Sequence, residues 1–178
     1  MGYKISGVDL HQENSKSLKQ HLENQYKVGG FYSEDIFDFK FKKKYDLVCS
    51  FGLIEHFKDF LDVIEIHNKI VQNEGTIFIT TPNYRGFFQK IIYKYFYPKD
   101  YSIHNIDSMR PDVWEVFLRN KGYEIIFCGY CGGMKYWVNP YNRKFLAKTF
   151  LRIWIRIANI VNKLLWFESK HFSQHCGC

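Results

Sequence analysis

No apolar h-region follows Met1, so a secreted protein is not expected. It has no internal repeat and no low-complexity segment, which excludes a solenoid or a compositionally biased tail. It also has no nucleic-acid-binding motif. Its net charge of +7 permits an anionic partner, but the basic residues are spread out rather than gathered into a footprint. The one local run, Lys40 with Lys42, Lys43 and Lys44, reads as a solvated loop before a strand. Nucleic acid is therefore not expected as a partner. The five cysteines are an odd number, and with no h-region they fit a reducing cytosol and a cytoplasmic protein. Cys128-x-x-Cys131, with His171, His175, Cys176 and Cys178, would make a zinc site on paper. Cys128 ends an expected strand and the other group is remote in sequence, so no metal is expected.

What is present suits a packed core. Hydrophobic residues make up 46% of the 178 and aromatics 19%, ample apolar surface for one domain. Short apolar strands alternate with helices along the chain. Strands are expected at Lys4–Val8, Tyr45–Ser50, Thr76–Thr80 and Tyr123–Cys128. Helices are expected at Ser15–Glu23, Ile54–Val71 (closed by Gly75) and Asp112–Lys121 (closed by Gly122). Near-continuous apolar strands alternating with helices imply a parallel sheet covered on both faces, an α/β fold. Ligands of such sheets bind at the carboxyl ends of the strands. The residues to examine are thus Asp9, the loop around Asp35, Ser50–Gly52 and Pro82–Asn83.

Asp9, after Gly7-Val8, puts a carboxylate at a strand end. It can accept both hydroxyls of a ribose, or it can serve as a turn or helix-capping aspartate. Glu34-Asp35-Ile36 offers an acidic acceptor for an adenine amino group and an apolar residue to pack on the ring, or else a solvated turn. His56 reads equally as a catalytic group and as a hydrogen-bonded helix histidine.

The run Tyr45-Asp46-Leu47-Val48-Cys49-Ser50-Phe51-Gly52-Leu53-Ile54-Glu55-His56-Phe57 resembles the fourth strand and following helix of class I S-adenosylmethionine-dependent methyltransferases, in the small-molecule branch that includes ubiquinone-type enzymes. Asn73-Glu74-Gly75 through Thr81-Pro82-Asn83 resembles that branch's fifth strand, and His104 to Gly122 its late helix. The motifs are weak singly and specific in this order and spacing, over roughly residues 3–133. The resemblance implies a Rossmann-like sheet and S-adenosyl-L-methionine as cofactor. It implies that Asp9 and Leu10 hold the ribose, that Asp35 and Ile36 recognise adenine, and that Ser50, Phe51 and Glu55 line the methionine part. Pro82, Asn83 and Tyr84 would face the acceptor, with His56 and His104 as catalytic candidates. The sulfonium is already a strong electrophile, so such catalysis is mainly alignment, with a base needed only for a weakly acidic acceptor.

The family's first strand and its glycine-rich cofactor loop have no counterpart in the sequence, and residues 172–178 are expected to be only the beginning of its last strand, which leaves the expected sheet incomplete. Cys128-Gly129-Tyr130-Cys131-Gly132-Gly133 is glycine-rich but follows a late strand and reads as a loop. A fragment of a longer enzyme is expected, binding the cofactor weakly when alone; the alternative is a non-catalytic binding module. A single domain is expected over residues 1–178, with a helical insert at about 84–103 and a basic amphipathic helix at about 142–167. In that helix Lys144, Lys148, Arg152, Arg156 and Lys163 form a stripe opposite a wide apolar arc. The charges argue against a membrane span. They suit the fold's own cap, or peripheral contact with a membrane and a lipid-linked small-molecule acceptor.

Overall fold

A computed structural model describes residues 2–133, 145–164, 173 and 175–178. It forms two compact units, Met1–Lys44 and Tyr45–Cys178.

In the first unit, strand β1 (Lys4–Val8) leads through helix α1 (Gln12–Glu23) to strand β2 (Lys27–Tyr32). The strands pair in parallel, Lys4 opposite Lys27 and Val8 opposite Tyr32, and a parallel pair needs such a crossover. The helix begins at Gln12, ahead of the expected Ser15. The Asp9 carboxylate accepts the His11 backbone N–H at 2.7 Å, and this turns the chain into the helix early. β2 lies where no strand is expected, because Gly29-Gly30 reads as a break. Here the glycine is a matter of space: a Cβ on Gly29 would come 2.3 Å from the Ser6 hydroxyl across the pair.

In the second unit, β3 (Tyr45–Phe51) and β4 (Val71–Pro82) pair in parallel, from Leu47 opposite Thr76 to Phe51 opposite Thr80. The single helix expected over Ile54–Val71 is instead a 3₁₀ turn (Ile54–His56) and a helix α2 (Phe60–Ile70). Phe57 between them is extended, and the Asn105 side chain donates to the carbonyls of Phe57 and Lys58 at 2.9 and 3.1 Å. Gly75 does not end that helix. It lies inside β4, where a Cβ would meet Val71 at 2.6 Å and the Gln72 carbonyl at 2.9 Å.

Helices α3 (Phe87–Phe96) and α4 (Pro98–Ile103) follow, then a 3₁₀ turn at Ile106–Ser108 and helix α5 (Pro111–Asn120). Proline suits the first turn of both α4 and α5, where its missing N–H is no loss. The strand expected over Tyr123–Cys128 does not form. The segment has the right apolar content but no strand beside it, and Ile126 is 89% exposed. The glycine-rich stretch expected as a loop instead carries a short strand, β5 (Gly129–Cys131). Helix α6 (Phe145–Leu164) lies within the expected 142–167 helix, whose remaining positions fall outside the described residues. Strand β6 (His175–Gly177) runs antiparallel between β4 and β5, giving the order β3-β4-β6-β5.

Ile54, Val63, Ile64, Ile79, Met109 and Trp114 form the core of this unit, and the Trp114 indole donates to the Ser108 carbonyl at 2.7 Å. A smaller cluster joins α3 to α6 through Ile92 and Ala158, with Phe88 and Trp154 packed beside them.

The cysteines depart from expectation. The β5–β6 pairing brings Cys128 and Cys178 to a Cα separation of 4.1 Å, and they form a disulfide. The Cys128 sulfur is thus covalently used and makes no C-x-x-C site with Cys131. Cys176 is buried against the Thr81 hydroxyl, and burial pushes its thiol up to about 12. His171, the remaining member of the paper zinc set, lies outside the described residues.

Candidate functional site

The first unit carries Asp9 at the carboxyl end of β1. Besides the His11 N–H, its carboxylate faces the Asn14 amide at 3.4 and 3.5 Å. Asp9 is therefore a turn-forming aspartate whose second oxygen is only weakly held. Leu10 beside it is 65% exposed. An open cleft lies there, lined by Gly7, Val8, Asp9, Asn14, Ser15 and Phe31. Asp35 follows β2, and its carboxylate accepts the Phe37 N–H at 2.9 Å in a turn that half-buries Ile36.

In the second unit the carboxyl ends of β3 and β4 lead into the other residues. Ser50 is buried, and its hydroxyl has no hydrogen-bond partner among the described residues. Phe51 is 71% exposed. Gly52 then adopts φ +65°, a left-handed conformation that favours glycine, and its N–H donates to the Thr80 carbonyl at 2.8 Å. This turn drops the chain into the 3₁₀ turn, placing Glu55 inward at 1% exposure and His56 outward.

Beyond β4, Asn83 is fully buried. Its amide donates to the Ser173 carbonyl at 2.9 Å and its oxygen accepts the Arg85 N–H at 3.2 Å. Pro82 ends β4 opposite His175. Tyr84 is buried in an aromatic group, with its ring 4.0 Å from Tyr93 and edge-on to His104 at 5.2 Å. The His56 and His104 rings lie 4.7 Å apart. The structure thus brings together Glu55, His56, Tyr84 and His104.

The environment of this group is dry on one side. Burial pushes the Glu55 carboxyl up to about 7. Burial, then the neighbouring His104, holds the His56 imidazole below its ordinary value, opposed by a ring hydrogen bond to the Gly52 backbone. Burial, reinforced by Tyr93, raises the Tyr84 phenol. Glu55, His56 and His104 each offer a ligand atom, all within 4.8 Å of one another. This is a metal-capable set in a chain where no metal was expected. Chemically the group can move a proton near neutrality or hold a cation.

Asn105 is the residue that sequence reasoning overlooks. Its N–H donates to the Glu55 carbonyl at 2.6 Å, and its side chain both ties down Phe57 and Lys58 and accepts the Asp107 N–H at 3.1 Å. It therefore fastens the His104 segment to the Glu55 turn. The Asn-x-Asp spacing of an Asx turn was the available signal.

Parallel strands with a rim of functional side chains at their carboxyl ends define a Rossmann-like α/β fold. Solved structures bear this out over nearly the whole chain. A candidate methyltransferase from Bacillus halodurans C-125 matches 98% of it at 15% identity and TM-score 0.59. A SAM-dependent methyltransferase from Archaeoglobus fulgidus matches 97% at 14% identity and TM-score 0.55. The plantazolicin methyltransferase BpumL, solved with a pentazolic desmethylPZN analog and SAH, matches 98% at 17% identity and TM-score 0.55. The chain spans 80%, 73% and 66% of those proteins' lengths, and 27% of coclaurine N-methyltransferase, matched at TM-score 0.39. At these identities the likeness speaks for the fold. No curated protein matches the sequence. The family model described as "Methyltransferase domain" matches residues 1–127, and the chain belongs to that family.

Proposed function

We propose that the protein takes part in methyl transfer from S-adenosyl-L-methionine to a lipid-linked acceptor presented at an anionic membrane surface. Family membership is the observation that carries the methyl-transfer part, and SAH in BpumL supports the cofactor. In this reading the cofactor residues are those that the family resemblance implies, Asp9, Leu10, Asp35, Ile36, Ser50, Phe51 and Glu55. The sulfonium supplies the electrophile when bound. The chain's own part is to bind, to exclude water and to accept a proton from the acceptor. Pro82, Asn83 and Tyr84 are the acceptor-side residues in this reading, and the His104 ring lies edge-on to Tyr84 at 5.2 Å. The His56 imidazole, held below its ordinary value by burial, is suited to take that proton.

The acceptor class rests on helix α6. Leu151 and Ala158 face inward with Trp154 half-buried between them. Leu146, Phe150, Ile153, Ile157 and Ile160 repeat at alternating four- and three-residue steps on a second face, each 47–81% exposed. Arg152, Arg156 and Lys163 are exposed and lie along one side of that stripe, and residues 145–164 contain no acidic side chain. No described helix is long and apolar enough to cross a membrane. An exposed apolar stripe bordered by cations suits the headgroup boundary, where the apolar residues enter the acyl region and the cations meet anionic lipid.

Two measurements test the proposal. Calorimetric titration with S-adenosylmethionine is expected to show saturable binding, weakened by Asp9→Ala. Flotation with vesicles containing phosphatidylglycerol is expected to carry the protein, and Ile153→Glu with Ile157→Glu to release it. Cofactor binding without methyl transfer to any lipid extract would identify a non-catalytic binding module. No saturable cofactor binding at all would remove the reading.

A further inference from the structure

One imidazole suffices for a general base, yet two lie together here beside a buried carboxylate. Each ring is already tied at one nitrogen. His104 donates from Nδ1 to the Asp100 carbonyl, and His56 hydrogen-bonds to the Gly52 backbone. A ring N–H given to a carbonyl leaves the other nitrogen with its lone pair, which is how metal-ligating histidines are oriented and their tautomer fixed. The third member, Glu55, is 1% exposed, and its Oε2 has no hydrogen-bond partner among the described residues. Burying an ionised carboxylate is costly unless a cation or a donor compensates it. One ligand atom from each of the three lies within 4.8 Å of the others. Ligand bonds of about 2.0–2.2 Å would draw ligand atoms to roughly 3–3.5 Å apart, a closure within reach of side-chain rotation. The surrounding backbone is held for this: Gly52 turns the chain into Glu55, and Asn105 fastens Glu55 to the His104 segment.

We propose that Glu55, His56 and His104 form a binding site for a first-row divalent cation. Two imidazole nitrogens and one carboxylate oxygen suit Zn²⁺, Mn²⁺, Fe²⁺ or Co²⁺ rather than Ca²⁺, and three protein ligands leave coordination positions open. A cation there binds vicinal hydroxyl or phenolic oxygens of an acceptor and lowers the pKa of the one it holds. With a cation held, both histidines act as ligands and not as the base; this last part rests on the proposed methyl transfer, and the site itself does not.

The test uses the full chain and Co²⁺ as the probe, since its visible spectrum reports the ligands. Equilibrium dialysis is expected to give one Co²⁺ per chain, with nitrogen and oxygen ligation. Glu55→Gln and His104→Ala are each expected to weaken binding by at least about tenfold, because losing even an outer partner of a ligand costs roughly that much. His175→Gln is expected to bind as the parent does. Circular dichroism checks that each variant is folded, and Glu55→Gln keeps the shape of the side chain should His104→Ala fail to fold. Absence of binding, equal binding by the folded variants, or a thiolate charge-transfer band placing the ion on cysteine would each overturn the site. The calorimetry with S-adenosylmethionine reads separately. Cobalt binding without cofactor binding would keep the site and remove the methyl-transfer reading, and the converse outcome would do the reverse.

Discussion

Residues 1–44 and 45–178 are ordered by different means. In the second unit, Ile54, Val63, Ile64, Ile79, Met109 and Trp114 are essentially removed from water. In the first, Ser15 is the one described residue that is buried, and Leu10, Leu18, Tyr26 and Phe37 are at least half exposed. The first unit is held by the β1–β2 ladder, by the Ser15 hydroxyl on the Tyr32 carbonyl, and by glycines that let side chains cross the strand pair. Burial of apolar surface is the larger stabilising term in proteins, so the second unit should carry most of the stability and the first should open more easily.

The sharpest test of this contrast is Trp114→Ala. It leaves a large cavity and removes the hydrogen bond to Ser108, so a loss of about 3–5 kcal/mol is expected by urea denaturation. Leu18→Ala, at a 51% exposed position in the first unit, should change stability by less than about 0.5 kcal/mol. Comparable losses would break the comparison. Next in size is Cys128→Ser, expected to cost about 2–4 kcal/mol by freeing a 50-residue loop; thermal melts with and without reductant read it. A third test sets two glycines side by side. Gly75→Ala meets the backbone carbonyls of Gln72 and Asp46 at 2.9 and 3.1 Å and should cost about 1–3 kcal/mol. Gly29→Ala meets chiefly a rotatable serine hydroxyl, so it should cost less, and Ser6→Gly should relieve it.

The smallest effect expected is a pH slope. His67 in α2 is 2% exposed, with Nδ1 on the Val63 carbonyl at 2.7 Å, and burial holds its pKa below 6.5. The unfolded chain therefore binds a proton more readily than the folded one. Stability is unaffected above pH 6.5 and falls as pH drops from there toward the depressed folded value. His67→Gln should flatten that part of the profile, as read by melting temperature between pH 5 and pH 7 (an interval set by the ordinary histidine range of about 6.5).

The same contrast decided what the sequence could reveal. β1 is found at the expected bounds, because the β-branched Ile5 and Val8 lead directly to the turn at Asp9. The alternation of strands and helices made the α/β class legible, and Leu-Ile-Glu-His-Phe with Thr-Pro-Asn made the family legible. β2 was hidden because Gly29 and Gly30 signal a break unless the close approach of Ser6 is known. The split at Phe57 was hidden because periodicity cannot register a side chain 48 residues away, Asn105, capturing two carbonyls. Tyr123–Cys128 had strand composition, but pairing depends on neighbours that composition does not encode. The site was legible as a set of residue types. Its joining of Glu55 to both histidines was not, since the burial of Glu55 follows from the Gly52 turn.

The place of β6 has a consequence for kinetics. It lies between β4 and β5, and Thr81 meets Cys176 across 95 positions of sequence. During synthesis the middle of this sheet therefore waits: β3 and β4 can pair early, while the outer edge of β4 stays open until residues 175–178 arrive. Closure over so long a separation is entropically slow, and an open strand edge invites pairing with other chains in the interval. Misassembly, rather than slow unfolding, is then the hazard most particular to this arrangement.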